Sequence, residues 1–179
     1  MQKKIIQDFE NTFKDTLLND DIKFKKELLN KFIEKGFPSK KLESWKFSDL
    51  NQIINKNIKD LNFYNNIEKS YQIDKSIYLK SIEHNSLVFV NGKLEEINLK
   101  FEDNKKFKIE KVTKIENKNI QNNALINLNN AFTINNYKVH VEKNYIVKKP
   151  LIIYHITNNE INSTNVNIRL NFLLEENCS

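Results

Sequence analysis

The sequence predicts an α+β protein, with a helical subdomain over residues 1–75 and a β-rich region over residues 76–179. Apolar residues recur at helical spacing in the first third of the chain, and near Ser76 the hydrophobic period changes from about 3.6 residues to about 2. The third observation is the pair Asn91-Gly92, the strongest short-range signal for a β-hairpin in the chain. A length of 179 residues allows one large domain or two small ones.

The first two elements are predicted to be an antiparallel pair of helices. Their apolar stripes are Ile5, Ile6, Phe9, Phe13 and Leu17 in the first helix, and Ile22, Leu28, Leu29, Phe32 and Ile33 in the second. Asp20 and Asp21 suit the N-terminus of the second helix, where the helix dipole favours negative charge. Gly36, followed by Pro38, predicts the end of that helix, because glycine readily adopts the left-handed conformation found there.

Two further helices are expected. Ser48 is the predicted N-cap of a short helix over residues 49–56, whose apolar side chains are Leu50, Ile53 and Ile54. Residues 119–132 return to a helical pattern. Their apolar side consists of Ile120, Ala124, Leu125, Leu128 and Phe132.

The remaining apolar segments alternate as strands do. Strands are predicted over residues 77–79, 87–90, 107–112, 137–142, 145–147, 151–156 and 166–172. Short strands separated by Asn-rich corners suit either a β-sandwich or a β-solenoid, and Asn side chains can stack at the bends of a solenoid. The sequence stops at Cys178-Ser179, straight after an apolar strand. We therefore expect either the front part of a longer protein or an end that another chain covers.

The charge balance argues against a nucleic-acid partner. The chain has 29 Lys and Arg against 23 Asp and Glu, a net charge of +6, yet Arg169 is the one arginine and the basic residues are spread evenly. Nucleic-acid-binding proteins more often cluster their basic residues and use Arg for bidentate phosphate contacts. We expect a solvated lysine surface. A lysine-rich binder of polyanions stays open as an alternative, and its affinity would fall steeply with salt.

Other counts exclude whole classes of site. Two glycines are too few for a glycine-rich phosphate loop, and one cysteine excludes a disulfide framework or a zinc ribbon within one chain. No apolar run is long enough to span a membrane, and the charged N-terminal residues do not form the apolar core of a signal peptide. We expect a protein of the reducing cytoplasm that contacts no membrane.

The most distinctive segment runs from Gly36 to Leu50 and reads GFPSKKLESWKFSDL. It combines a helix stop, a proline turn and one helical turn that presents Leu42 and Trp45. Trp45, the single tryptophan, is predicted to anchor the helical subdomain on the β region, with a role in surface recognition as the alternative.

This segment resembles the motif G-(L/F)-P-(T/S)-x-x-x-E-x-W-K-(Y/F)-(T/S)-x-L of the SufD family, components of the Suf iron–sulfur cluster assembly machinery. Three later segments resemble SufD motifs in the same order: LVFVNG at residues 87–92, ALINLNNAF at residues 124–132, and KPLII at residues 149–153. Four ordered matches across nearly the whole chain are more specific than any one of them.

The resemblance implies a helical N-terminal subdomain followed by the first coils of a right-handed parallel β-helix, apparently truncated. It also implies a non-enzymatic scaffold subunit of the Suf complex, with SufB-like and SufC-like (ATPase) partners in the full-length protein. This chain would bind no cofactor, since the wider complex handles the iron–sulfur cluster and ATP. The family's SufC-binding and SufB-pairing regions have no counterpart in this chain. The expected structural and docking residues are Phe32, Leu42, Trp45 and Leu50.

A metal site and a catalytic site are the alternatives to a scaffold function. His140, His155 and Cys178 are candidate ligands for iron or zinc if the two histidines stack on one face of a solenoid; otherwise they are solvent-facing or hydrogen-bonded side chains. A carbohydrate-active β-solenoid enzyme is a further alternative, and it would need a carboxylate cluster. The candidates are Glu142, Glu160 and Glu175. No nucleophile-elbow sequence supports a Ser/His/Asp triad.

Overall fold

The computed structural model describes residues 2–14, 20–58, 60–63, 71–112 and 122–179. The helices are α1 (Gln2–Phe13), α2 (Asp20–Lys35), α3 (Leu50–Asn57) and α4 (Ala124–Phe132). The strands are β1 (Asn85–Val90), β2 (Lys93–Asn98), β3 (Phe107–Lys111), β4 (Asn135–Val141), β5 (Leu151–Ile156) and β6 (Ile168–Leu174). Leu17 and Ile120, which were assigned to predicted helices, lie outside the described residues.

The chain divides into two compact units. The first is formed by the described residues within Met1–Asn66, Lys114–Ile134 and Asn162–Asn167, and the second by those within Ile67–Thr113, Asn135–Ile161 and Ile168–Ser179. The first unit therefore holds all four helices, and the second holds all six strands. The predicted boundary between residues 75 and 76 stays a prediction.

The first unit has an apolar core to which α1, α2 and α4 all contribute. Its buried members are Ile5, Phe9, Phe24, Leu28, Leu29, Phe32, Phe63, Leu128, Ala131 and Phe132. Phe132 packs edge-on against Phe9, with 5.7 Å between the ring centroids. Within each helix the core residues recur at helical spacing, so they lie on one side of the helix and face the shared core.

Helix ends follow local hydrogen-bonding rules. Gly36 has φ +69°, and its N–H donates to the carbonyl of Phe32 at 2.6 Å, so α2 ends as predicted. The cap of α3 differs from the prediction by one residue. The carboxylate of Asp49, not the hydroxyl of Ser48, accepts the hydrogen bond from the N–H of Gln52 at 2.8 Å.

The second unit contains two three-stranded mixed sheets, with strand orders β2-β1-β5 and β3-β4-β6. In each sheet the central strand has one antiparallel and one parallel neighbour. The sheets share one core. Its buried members are Leu87, Phe89, Phe107, Tyr137, Val139 and Val141. Phe89 of the first sheet meets Tyr137 of the second, with 5.7 Å between the ring centroids.

The predicted hairpin is present. Asn91 and Gly92 have φ values of 49° and 88°, and they join β1 to the antiparallel strand β2. Positive φ at both turn positions is the geometry that Asn-Gly favours, because it matches the twist of the flanking strands.

The predicted right-handed parallel β-helix is wrong. The architecture is α+β, but the described residues form no coils in which every strand stacks in parallel on the one before. The two-residue turn at Asn91-Gly92 sends the chain straight back, so β2 runs antiparallel to β1. β3 and β4 also pair antiparallel. The parallel neighbours, β5 and β6, come from distant parts of the chain.

Two predicted strands, over residues 77–79 and 145–147, are also absent from the described residues. Near residues 77–79 the carboxylate of Asp74 accepts from the N–H of Ser76 at 2.9 Å and starts a short 3-10 turn. Near residues 145–147 the backbone pairs with one residue, Ser179, whose carbonyl accepts from the N–H of Val147 at 2.6 Å and whose N–H donates to the carbonyl of Tyr145 at 3.2 Å. In the first case a local side-chain hydrogen bond competes with strand pairing, and in the second the pairing involves too few residues to form a strand.

Candidate functional site

The first unit contains a pocket of about 610 Å³, here called the Trp45 pocket. Its lining residues come from two parts of the chain, one before α3 and one at the start of α4. They are Lys35, Gly36, Phe37, Pro38, Ser39, Lys41, Leu42, Ser44, Trp45, Asn122, Asn123, Ala124 and Leu125. The distinctive segment over residues 36–50 therefore forms one wall of the pocket.

That wall is held by contacts at its base. The ring of Phe37 meets buried Phe32 edge-on, at 5.0 Å between centroids, and Pro38 is buried. The N–H of Leu50 donates to the carbonyl of Pro38 at 3.1 Å, which closes the segment into a loop. Within the loop, a 3-10 turn over Glu43–Trp45 places the indole of Trp45 half-buried at the pocket.

The opposite wall is the N-terminus of α4. The side chain of Asn123 caps this helix by accepting from the N–H groups of Leu125 and Ile126, at 2.9 and 3.3 Å. The ammonium group of Lys35, at the end of α2, donates to the backbone carbonyl and the side-chain oxygen of Asn122, at 2.7 and 2.9 Å. These bonds tie the two walls together.

Exposed apolar side chains lie along the loop. Phe47 is 88% exposed and Leu42 is 53% exposed. The ammonium group of Lys46 lies 5.2 Å from the centroid of the Phe47 ring and 2.9 Å from a carboxylate oxygen of Glu43. Leu42, Trp45 and Phe47 form a surface that we call the 42–47 ridge. Exposed apolar side chains that cluster mark interaction surfaces more often than those scattered singly.

The charge of the pocket is positive. Of the described residues that line it, Lys35 and Lys41 are basic and none is acidic. Cationic groups, an indole and exposed aliphatic carbon together suit a partner segment that combines an acidic side chain with an apolar one.

The four expected docking residues occupy different environments. Phe32 is buried in the core of the first unit, and Leu50 is half-buried at the start of α3, so both support the loop from beneath. Leu42 and Trp45 reach the pocket. Anchoring of the β region by Trp45 stays a prediction. Phe47 was not included among the docking residues expected from the sequence. Its position, between the 3-10 turn that ends at Trp45 and the N-cap Asp49, leaves it exposed.

The wall at residues 122–125 was also missed. Those residues were considered only as part of a predicted helix, and no local pattern connects them to a tryptophan almost eighty positions earlier. The contact between the two walls is set by the packing of α4 on α2, which is a tertiary property.

The candidate metal ligands do not form one group. His140, on β4, makes a 2.7 Å contact between its Nε2 and Oε1 of Glu175. His155, on β5, stacks on the ring of Phe89 at 5.2 Å between centroids. Cys178 donates its thiol hydrogen to the carbonyl of Glu175 at 2.9 Å. Among the described residues, no three His, Cys, Asp or Glu side chains are placed to hold a metal ion.

Two of the three candidate catalytic carboxylates are hydrogen-bonded to basic side chains. Hydrogen bonds from Lys108 and Lys106 lower the pKa of Glu142 to about 2, and the hydrogen bond with His140 lowers the pKa of Glu175. A general acid needs the opposite shift, because it must stay protonated near neutral pH. The side chain of Glu160 lies outside the described part of the structure.

Comparisons with known proteins give no family assignment. No protein-family model matches the sequence. No curated protein matches it at a significant level. None of the described helices combines the length and the apolarity that crossing a membrane requires.

Proposed function

We propose that the chain is a non-enzymatic scaffold subunit of a Suf-type iron–sulfur cluster assembly complex, working in the cytoplasm. It holds SufB-like and SufC-like partner subunits in the full-length protein, whereas the wider complex handles the iron–sulfur cluster and ATP. In this role the chain binds no cofactor of its own.

One observation carries the proposal. The segment with the strongest resemblance to SufD is also the segment that presents the 42–47 ridge beside the Trp45 pocket. Phe47 is almost fully exposed and Leu42 is 53% exposed, so both side chains are accessible to a partner. A binding role gives these exposed groups a function.

The geometry supports a specific kind of contact. An apolar side chain of the partner would cover Leu42 and Phe47, and an acidic side chain would meet the ammonium group of Lys41 at the pocket. The energy would come mainly from the apolar contact at Trp45 and Phe47, since aromatic anchors dominate protein interfaces. The lysines would add orientation and faster association.

The test is co-purification from the protein's own cells with an affinity tag on the intact gene product. Wild type should recover SufB-like and SufC-like subunits, and the double variant Leu42→Ala, Phe47→Ala should recover the SufB-like subunit several-fold less well. Ile146→Ala is the matched control, because Ile146 is an exposed aliphatic residue of the second unit. Wild type that recovers neither subunit would contradict the proposal.

A second experiment tests residues 1–179 on their own. Residues 1–179 alone should fail to capture the SufC-like ATPase, because the SufC-binding region of the family has no counterpart in them. The emission of Trp45, the single tryptophan, reports directly on any partner that covers the pocket. Robust capture of the ATPase by these residues would assign its binding surface to this part of the chain.

A further inference from the structure

The turn that joins β1 to β2 is also the single Asn-Gly pair of the chain. Asparagine is a thermolabile residue, because its side-chain amide reacts with the backbone nitrogen of the residue that follows. Glycine in that next position speeds the reaction, since it has no Cβ to block the approach. The pair that forms the hairpin is therefore also a site where the chain can deamidate.

Deamidation at this pair needs no enzyme and no reactant except water. The backbone nitrogen of Gly92 attacks Cγ of Asn91 and closes a succinimide ring. The side-chain nitrogen of Asn91 takes up the proton that the Gly92 nitrogen loses, and it leaves as ammonia. Water then opens the ring at either carbonyl, which gives aspartate or isoaspartate at position 91. The first step requires the side chain of Asn91 to turn until Cγ meets the Gly92 nitrogen.

Asn158 holds the side chain of Asn91 away from that position. Nδ2 of Asn91 donates to Oδ1 of Asn158 at 2.8 Å, and the backbone N–H of Asn158 donates to Oδ1 of Asn91 at 3.1 Å. Both polar atoms of the reactive amide are thus bound by one residue. Asn91 is only 2% exposed, so water cannot readily replace these hydrogen bonds when the side chain turns.

The backbone of the turn is held as well. The N–H of Asn91 donates to the carbonyl of Ile156 at 2.9 Å, and the side chain of Asn135 donates to the carbonyl of Gly92 at 3.0 Å. Gly92 is buried, and both turn residues have the positive φ of a tight hairpin. The backbone therefore has little freedom to help Cγ of Asn91 reach the Gly92 nitrogen.

We propose that Asn91 is a deamidation site that its contact with Asn158 keeps closed in the folded protein. Local opening of this contact, and not unfolding of the whole chain, sets the rate at which residue 91 is modified. Asn158 lies just after β5 and just before the 3-10 turn Asn159–Ile161. Such a connection opens more readily than the strands on which it depends.

Once formed, either product keeps the hairpin from closing again. Aspartate at position 91 has a carboxylate oxygen where Nδ2 of Asn91 now donates, so that oxygen meets another acceptor, Oδ1 of Asn158. Isoaspartate adds one atom to the backbone of a two-residue turn, which disturbs the register Val90↔Lys93. β1 is the central strand of its sheet, so the change reaches both of its neighbours.

Peptide mapping by mass spectrometry tests the proposal by following the modified fraction at residue 91 in mildly alkaline buffer. Folded wild type should be modified at least about tenfold more slowly than the same chain in urea, because two hydrogen bonds must break first. Asn158→Ala should be modified several-fold faster than wild type while its circular dichroism spectrum is that of wild type. Folded wild type that reacts as fast as the unfolded chain, or Asn158→Ala that reacts as slowly as wild type, overturns the proposal.

Two control variants separate local opening from general destabilisation. Lys25→Met removes hydrogen bonds at the end of α4, and Asn55→Ala removes an exposed contact within α3. Both variants leave Asn158 in place, so residue 91 should be modified at the wild-type rate in each. If Lys25→Met accelerates the modification as much as Asn158→Ala does, the route is unfolding of the whole chain and the proposal is wrong.

Discussion

Lys25 of α2 closes the C-terminal end of α4. Its ammonium group donates to the carbonyl oxygens of Thr133 at 2.5 Å and Asn130 at 3.1 Å, and it is buried. Carbonyl groups at a helix C-terminus lack partners within the helix and carry partial negative charge, so a cation is well placed there.

Replacing Lys25 by Met should destabilise the protein by about 2 kcal/mol, because buried carbonyls at the end of α4 lose their donor. The apolar stem of the side chain is retained, so the loss reports on the hydrogen bonds. Urea unfolding followed by circular dichroism measures it. Lys26→Met, at the exposed neighbouring position, should change stability by less than about 0.5 kcal/mol. Equal effects of the two substitutions would contradict this account of α4.

Glu142 predicts a specific dependence of stability on pH. Hydrogen bonds from Lys108 and Lys106 hold the pKa of its carboxyl at about 2, against an ordinary value of 4.5. A carboxyl with a lowered pKa in the folded state stabilises the fold above the unfolded value and loses that contribution as the pH falls. The contribution should therefore be complete above about pH 4.5 and should disappear as the pH approaches 2.

Melting curves between pH 7 and pH 2 check this. Glu142→Gln should melt below wild type at pH 7, and the gap should close as the pH falls through that window. Lys108→Met should also melt below wild type at pH 7, and most of that difference in melting temperature should disappear as the pH falls. The reason is that Lys108 makes the larger contribution to the lowered pKa of Glu142. If the curves of wild type and Glu142→Gln stay parallel down to pH 2, the ion pair does not stabilise the fold.

Asn91 and Asn158 bind each other reciprocally. Nδ2 of Asn91 donates to Oδ1 of Asn158 at 2.8 Å, and the backbone N–H of Asn158 donates to Oδ1 of Asn91 at 3.1 Å. Asn91→Ala should cost about 2–3 kcal/mol, since it breaks both bonds and places alanine at a positive φ. Asn158→Ala removes one bond and should cost about 1 kcal/mol. Chemical denaturation ranks the two, and a reversed order would show that this pair does not fix the hairpin.

Glu102 accepts hydrogen bonds from Asn85 and from a loop more than forty residues further along the chain. Its carboxylate accepts from Asn85, Tyr145 and the N–H groups of Lys148 and Lys149. Partial burial opposes ionisation, but these hydrogen bonds prevail and lower the pKa of Glu102. In Glu102→Gln an NH2 group replaces one of the two accepting oxygens and faces groups that themselves donate. The substitution should therefore lower the free energy of unfolding by about 2 kcal/mol.

Amide hydrogen exchange locates that effect. Exchange at Lys148 and Lys149 should accelerate in Glu102→Gln, whereas amides of α2 should be unchanged. Glu176→Gln is a suitable control, because Glu176 makes an exposed ion pair with Lys143, and such pairs contribute about 0–1 kcal/mol. If the amides of residues 148 and 149 exchange at the wild-type rate in Glu102→Gln, Glu102 does not hold this loop in place.

Local signals in the sequence predict local structure well. Gly36 and Asn91-Gly92 each require a positive φ, and that requirement is satisfied within a few residues of the chain. The helical stripe of α2 and the alternation in β4 are local in the same sense. Such features depend little on the rest of the fold.

The pairing of strands and the lining of the candidate site depend on residues that are distant in the sequence. Neither could be predicted from local sequence patterns. β1 pairs with β5 from Asn85↔Leu151 onward, and no pattern near either strand encodes that choice. The prediction of a β-helix failed for this reason: most of the predicted strands are present, but their directions and partners are not those of a β-helix. Trp45 was identified as distinctive, but the second wall of its pocket begins at Asn122 and is brought there by tertiary packing.

The late position of α4 has a consequence for synthesis on the ribosome. Leu128, Ala131 and Phe132 complete a core whose other walls, α1 and α2, have been translated by residue 35. At about 5–20 residues per second, the nascent helices wait roughly 5–20 seconds for their cover. During that interval Phe9, Leu28 and their neighbours lack their apolar cover and are exposed to aggregation or to chaperone binding. Slow translation between α2 and α4 would lengthen the time during which these apolar side chains are exposed, and rapid translation would shorten it.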